Sequence, residues 1–282
     1  MTVTQMPTVT QMPIAPPARL PQPDGPLIGD VLRSEWAKLR TVRSTYWTLL
    51  AAALMTIGFS VLVTAVIAAQ WATATAKTKA NFDPVQSTMN GAFLAQLAIA
   101  VLGVLVITSE YSTGMIRATF SAVPQRLIVL GAKAAVFAAV ALVVTTSACL
   151  VAFFAGEAIL GTQGIGVGLG ADNALRIVVG NGMYMAVLGL LALALGTIIR
   201  KTAGGITAVV GILFVLPGLA KLLPSSMDVV QKFLPSNAGQ ALINGGNQSA
   251  TQLSPWVGFG VFCLWAIAAL AVAGAMLVRR DA

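Results

Sequence analysis

One octet of this chain gathers an acid, an aromatic ring, two hydroxyls, a glycine and a base: Glu110-Tyr111-Ser112-Thr113-Gly114-Met115-Ile116-Arg117. It is a short polar break between two long apolar segments. A carboxylate and a guanidinium seven residues apart, with a flexible Gly114 between them, suit a chain that leaves the membrane and turns along its surface. Ala118, Phe120 and Val123 follow, and Pro124-Gln125-Arg126 turns the chain back. Taken alone, the octet reads either as a surface that couples to a partner or as a plain interfacial loop, because Glu and Arg are common at span ends.

The elements that must hold this octet are set by composition. Hydrophobic residues make up 57% of the 282, charged residues 9%, and mean hydropathy is +0.86. An average globular protein has roughly 25% charged residues, so the chain reads as an all-α integral membrane protein. A span needs roughly 20 mostly apolar residues to cross about 30 Å of hydrocarbon. Six segments qualify as transmembrane helices: Trp47–Ala69, Ala92–Thr108, Ile128–Ala155, Leu175–Ile199, Ile206–Leu223 and Trp256–Val278. The second is short, and the fifth ends in Leu216-Pro217-Gly218, where a kink or break is expected with its freed backbone groups satisfied inside the protein.

Three regions follow. Residues 1–26 carry a tandem hexad (TVTQMP) and then five prolines, with no continuous apolar core of a secretory signal, and read as a disordered Pro-rich cytoplasmic tail. Residues 27–46 space Ile28, Val31, Leu32, Trp36, Leu39 and Val42 at helical intervals with Arg33, Lys38, Arg40 and Arg43 between them. This is the pattern of an amphipathic helix lying in the membrane interface, with Trp36, Lys38, Arg40 and Arg43 toward the headgroups. Residues 47–282 form the six-span domain, with the octet opening a cytoplasmic element at about 110–124 and an outer lid at about 224–254. Within that lid Met227, Val229, Val230, Phe233 and Leu234 suit a short amphipathic helix, and Ser236 or Asn237 could cap a second one.

The net charge of +8 does not point to nucleic acid, because the bases sit in small groups between apolar runs with no aromatic interleaving. They read as topology signals. Arg19, Arg33, Lys38, Arg40, Arg43, Arg117, Arg126, Lys133, Arg200, Lys201, Arg279 and Arg280 fall on one side of the six spans; Lys77, Lys79, Arg176, Lys221 and Lys232 fall on the other. Positive-inside then places both termini, and the octet, in the cytoplasm.

Several chemistries are excluded. The chain has no histidine, which removes HExxH zinc sites, Ser-His-Asp triads and His proton relays. Cys149 and Cys263 lie in apolar runs without metal or disulfide spacing and read as small buried hydrophobes. No acid or base occupies the middle of a proposed span, where a charge costs about 2.5 to 3.5 kcal/mol; an ion- or proton-coupled carrier usually needs such a group, so its absence argues against secondary transport. Glu157 and Arg176 are expected to pair across a short outer loop. The nearest approach to a nucleotide-binding loop is Arg200-Lys201-Thr202, where Arg200 replaces the loop glycine and no strand precedes it. In the fourth span Gly182, Gly189 and Gly196 recur every seven residues, a small-residue seam for helix packing.

The octet, followed by Ser121-Ala122-Val123-Pro124-Gln125-Arg126 and Gly131-Ala132-Lys133, resembles the cytoplasmic signature between the second and third spans of ABC-2 type permeases, the membrane subunits of ATP-binding-cassette exporters. Ser34-Glu35-Trp36-Ala37-Lys38-Leu39-Arg40-Thr41, the six-span plan, and Leu234-Pro235-Ser236-Asn237-Ala238-Gly239-Gln240-Ala241-Leu242 are similar to the same family. The resemblance implies that the octet forms a coupling helix seated in a cleft of a separate ATPase, braced by the preceding interfacial helix. Glu110 and Arg117 would make its polar contacts, Tyr111, Met115 and Ile116 would fill the cleft, and Gly114 would supply the turn. Arg200 and Lys201 would form a second cytoplasmic contact. The family often has Thr at the position of Met115, which here substitutes apolar packing for a hydroxyl.

The same resemblance implies two permeases, as a homodimer or a pair of similar chains, with two ATPase copies in a lipid membrane. ATP and Mg would be bound only by the ATPase, so this chain is not itself an enzyme, holds no metal and takes no nucleic acid. The cargo would be a hydrophobic or amphipathic compound such as a drug, antibiotic or lipid, moved out of the cell between the permeases along the second and fifth spans. The rival readings are a secondary carrier or channel, whose flux persists without any ATPase, and a non-transporting assembly subunit, whose loss leaves export intact.

Overall fold

The computed structural model describes residues 28–222, 228–245 and 253–279. The tail at 1–26, Met227 and part of the lid lie outside the described residues, as do Arg19 and Arg280. A helix α1 (Ile28–Thr41) precedes α2 (Arg43–Gln70), which is extended by a 3-10 turn, and two short helices α3 (Ala76–Ala80) and α4 (Pro84–Thr88) lead into α5 (Asn90–Ser112). The helix α6 (Met115–Ala122) then links α5 to α7 (Arg126–Gly161), and α8 (Ala174–Ile199), α9 (Thr202–Val210), a π turn (Gly211–Val215) and α10 (Leu216–Ala220) follow. Short helices α11 (Asp228–Phe233) and α12 (Pro235–Gln240) precede the final α13 (Pro255–Arg279). Among the described residues six helices are long and apolar enough to span a membrane: α2, α5, α7, α8, the combined α9 to α10, and α13.

The boundaries differ from the sequence expectation in ways that matter. The second span is not short, because α5 runs on through Glu110 to Ser112. The helix expected at the interface ends at Thr41, and Arg43 opens the first candidate spanning helix after an extended Val42 at φ −77° and ψ 111°. Pro217 does not break the fifth span. A proline has no N–H and its ring collides with the carbonyl four residues back, and the π turn immediately before α10 is where the helix absorbs the mismatch. A helix does begin at Pro235, but Leu234 is the capping position of α12 and no side chain caps it. Asn237 instead donates its side-chain N–H to the carbonyl of Gln231, 2.8 Å away.

Packing is organised around α8, 72% of whose most apolar window is buried, with α5 beside it at 67% and α2 and α13 outside at 22% and 28%. In α2 the large side chains Trp47, Leu54, Phe59 and Leu62 face outward. Its buried face is instead Thr45, Ala52, Thr56, Ser60, Thr64 and Ala68. That polarity suits a lipid solvent, where apolar side chains gain nothing by turning inward and close backbone approach drives association. The Thr56 and Thr64 hydroxyls donate to carbonyls four residues back, so burying them leaves no unmet donor.

The glycines mark where helices touch. A Cβ at Gly182 would lie 1.8 Å from the Thr146 hydroxyl of α7, one at Gly189 2.5 Å from the Phe137 ring, and one at Gly196 2.9 Å from Ile107 of α5. The stripe thus passes from α7 at one end of α8 to α5 at the other. A contact against backbone is Gly91, whose N–H donates to Ser60 Oγ at 3.0 Å and whose Cβ would sit 2.0 Å from the Thr56 carbonyl oxygen. Gly91→Ala should destabilise the bundle by about 1–3 kcal/mol, the range for overpacking. Gly58→Ala, where nothing lies within 4 Å, should not. Thermal unfolding of the two variants in detergent checks this, and equal melting temperatures would contradict the packing account.

Candidate functional site

The octet begins inside α5 and ends inside α6. Ser112 closes α5, and Gly114 adopts φ +72° and ψ 1°, the left-handed conformation that turns the chain between the two helices. The space around a Gly114 Cβ is open, so the requirement there is backbone conformation rather than room. From Met115 the chain forms α6, whose Ile116 is buried while Met115 and Arg117 are exposed. Phe120 and Val123 pack with Val31 of α1 and with Val129 and Ala132 of α7, so α6 lies across both helices.

Beneath α6 sit four charged side chains from three helices. Lys133 of α7 contacts Glu35 of α1 at 2.5 Å and Glu110 of α5 at 2.7 Å. Lys38 of α1 contacts the same two carboxylates at 2.6 and 3.2 Å. The result is a closed ring of two acids and two bases. Glu35, Glu110 and Lys133 are each no more than 2% exposed. An isolated charge could not be kept there, because desolvation would cost several kcal/mol; each carboxylate lying between two ammonium groups offsets that cost. Lys38 also donates to the Thr119 hydroxyl of α6 at 3.2 Å, tying the exposed helix to the ring. Burial alone would pull the Lys38 ammonium down, but Glu35 and Glu110 outweigh it and hold its pKa above the usual 10.5. Its contribution to stability is therefore complete below that pH and lost only in stronger alkali.

A second junction lies beside the first. Arg200, the residue after α8, is held at φ +61°, a conformation unfavourable for a side chain other than glycine. Its guanidinium lies 5.2 Å from the centre of the Tyr111 ring. Thr202 of α9 donates to the Thr108 hydroxyl of α5 at 3.0 Å. Arg126 stacks on Phe120 at 5.3 Å and donates to the Leu277 carbonyl of α13 at 2.8 Å. The octet, the α8–α9 turn, the start of α7 and the end of α13 therefore gather at one end of the bundle.

These positions redistribute the residues singled out in the sequence. Glu110 and Ile116 point inward, Tyr111 is half-buried against Arg200, and Met115, Arg117 and Lys201 are exposed. On α1, Trp36 and Arg40 face outward as spacing suggests, whereas Lys38 turns into the ring. Glu157 and Arg176 do not pair. Glu157 accepts the Val167 N–H at 2.7 Å, pinning its own loop, and Arg176 donates to the carbonyls of Leu242 and Asn244.

Glu35 and Lys133 were missed as site residues, yet each occupies a core position in its helix. Glu35 stands between Val31 and Leu39, and Lys133 between Val129 and Phe137, all four residues apart. A charge in the buried stripe was the available signal. Among the described residues no group of three or more His, Cys, Asp or Glu side chains is placed to hold a metal ion.

A family model described as "ABC-2 family transporter protein" matches residues 31–218. The match takes in the whole charge ring and both turns. No curated protein sequence matches the chain.

The ring makes a definite energetic demand. Lys133→Met leaves two buried carboxylates sharing one ammonium and should cost about 3–5 kcal/mol. Adding Glu110→Gln restores neutrality, and the double variant should be more stable than Lys133→Met alone, with a coupling of roughly 0.5–3 kcal/mol. Denaturation of the two single variants and the double variant measures this, and strictly additive losses would mean that the four charges do not act as a unit.

Proposed function

The chain belongs to the ABC-2 transporter family as a multi-pass membrane permease component, and on that premise we propose that its α5–α6 turn couples it to a separate ATPase subunit. The supporting observation is the division of labour within the octet. Glu110 and Ile116 face inward and fix α6 to α1 and α7, while Ser112, Thr113, Met115 and Arg117 stay exposed. The exposed residues are the ones available to touch a partner. Glu110 acts as a positioning residue, and the polar contact to the ATPase passes to Arg117.

Lys201 extends the same surface, and Arg200 ties it to the octet through Tyr111. ATP and Mg are bound by the ATPase. The bases on this end of the bundle favour a cytoplasmic location, with both termini on that side. Two permeases and two ATPases form the working unit.

The second permease would cover the edge where Phe93 of α5 meets Phe214 at 5.9 Å, with Val215, Leu216 and Leu219 exposed beside it. A pathway along that edge is apolar, which suits outward movement of a hydrophobic or amphipathic compound. The charges of the ring do not favour an ion-coupled carrier, because Glu35, Lys38, Glu110 and Lys133 are paired with one another at one end of the bundle.

Arg117→Glu should leave membrane insertion intact. Losing a charge-assisted contact of about 1.5–3 kcal/mol should weaken ATPase association roughly ten- to hundredfold and uncouple hydrolysis from export. A cysteine replacing Met115 should cross-link to the ATPase and react with an impermeant thiol reagent only from the cytoplasmic side. Undiminished coupled export in the Arg117 variant, or labelling of the cysteine from outside, would overturn the reading.

A further inference from the structure

Where α1 meets α2, a groove of about 420 Å³ opens on the outside of the bundle. Its floor is Leu49, Leu50 and Ala53 of α2 with Val140 and Val144 of α7, and its mouth is Trp36 and Arg40 of α1 with Tyr46 of α2. Trp36 and Tyr46 are about half exposed, at 51% and 55%. Arg40 is exposed, and its guanidinium makes no ion pair or hydrogen bond with another described residue. The groove therefore joins an apolar slot on a membrane-facing surface to a cation and two aromatic rings of the kind that settle at headgroup depth.

We propose that this groove binds one anionic phospholipid, with an acyl chain along Leu50, Ala53 and Val144 and its phosphate at Arg40. Two features point to this occupant. The slot is almost wholly apolar, so it takes hydrocarbon and not a peptide, whose backbone would go unsatisfied there. Its one polar terminus carries a positive charge, which selects an anionic headgroup over a zwitterionic one. The lipid would touch the outer face of α1, whose inner face supplies Glu35 and Lys38 to the charge ring. Occupancy would thus help fix the angle of the helix that supports α6. The inference rests on the membrane location of the chain and not on its coupling to an ATPase.

Native mass spectrometry of the full chain, released from detergent with equal amounts of dioleoyl phosphatidylglycerol and dioleoyl phosphatidylcholine, tests it. The expected result is a preference for phosphatidylglycerol of roughly fivefold, the contribution of one basic side chain at an anionic surface. The preference should disappear in Arg40→Gln and persist in Arg33→Gln, which removes an equal charge from the exposed surface of α1 outside the groove. Ala53→Trp, which fills the slot without altering charge, should lower retention of both lipids. Equal retention of the two lipids by the unaltered chain would overturn the proposal, as would an equal effect of the Arg33 and Arg40 substitutions or undiminished retention in the Ala53 variant.

Discussion

Two acids and two bases paired at one end of the bundle, all but Lys38 buried, constrain most of what surrounds them. In a medium without water each charge must find its counter-charge within the protein, and here the partners come from three different helices. Glu35 and Lys38 lie on α1, Glu110 on α5 and Lys133 on α7. A shift of α1 along the bundle would separate both carboxylates from an ammonium at once. Helix α1 is therefore fixed to its neighbours by electrostatics as well as by the buried apolar residues Val31 and Leu39 on either side of Glu35.

The exposed end of the bundle inherits this rigidity. The short helix α6 rests on apolar contacts with α1 and α7, and its Thr119 accepts from a member of the ring. On the other side, Tyr111 carries the Arg200 guanidinium, so the two polar turns are in mechanical contact through a single aromatic ring. A force applied at Met115 or Arg117 would reach α5 and α7 through the ring and α8 through Arg200. Those helices form the most buried part of the bundle, with α8 in close contact with both through its glycines. Motion of one is thereby tied to the others.

Much of the architecture was legible in the residues. The six apolar runs correspond to six helices among the described residues that are long and apolar enough to span a membrane, and the polar octet did mark a turn at Gly114. The length of α5 and the continuity of the fifth span were not legible, because hydropathy falls at Glu110 and at Pro217 while the backbone hydrogen bonds do not stop there. The hydroxyl and alanine stripe of α2 recurs at four-residue spacing from Ala52 to Ala68, but apolar side chains surround it on every side, so hydropathy does not single it out as the buried face. The seam in α8 could be seen because glycine is small in any solvent.

What the sequence determined by itself is solvent and periodicity: a chain this apolar must lie in lipid, its helices must be long enough to cross it, and its charges must collect at the ends. What only the tertiary structure decided is which charges face which. Glu110 looks like a surface residue beside a turn, and Lys133 like a marker of membrane sidedness, because both stand near the limits of apolar runs. The fold turns them toward each other and toward Glu35, some 75 and 98 residues away along the chain. Pairing of that kind depends on the relative rotation of three helices about their axes. That rotation is set by close packing among glycines, alanines and hydroxyls, not by the local pattern of any one of them.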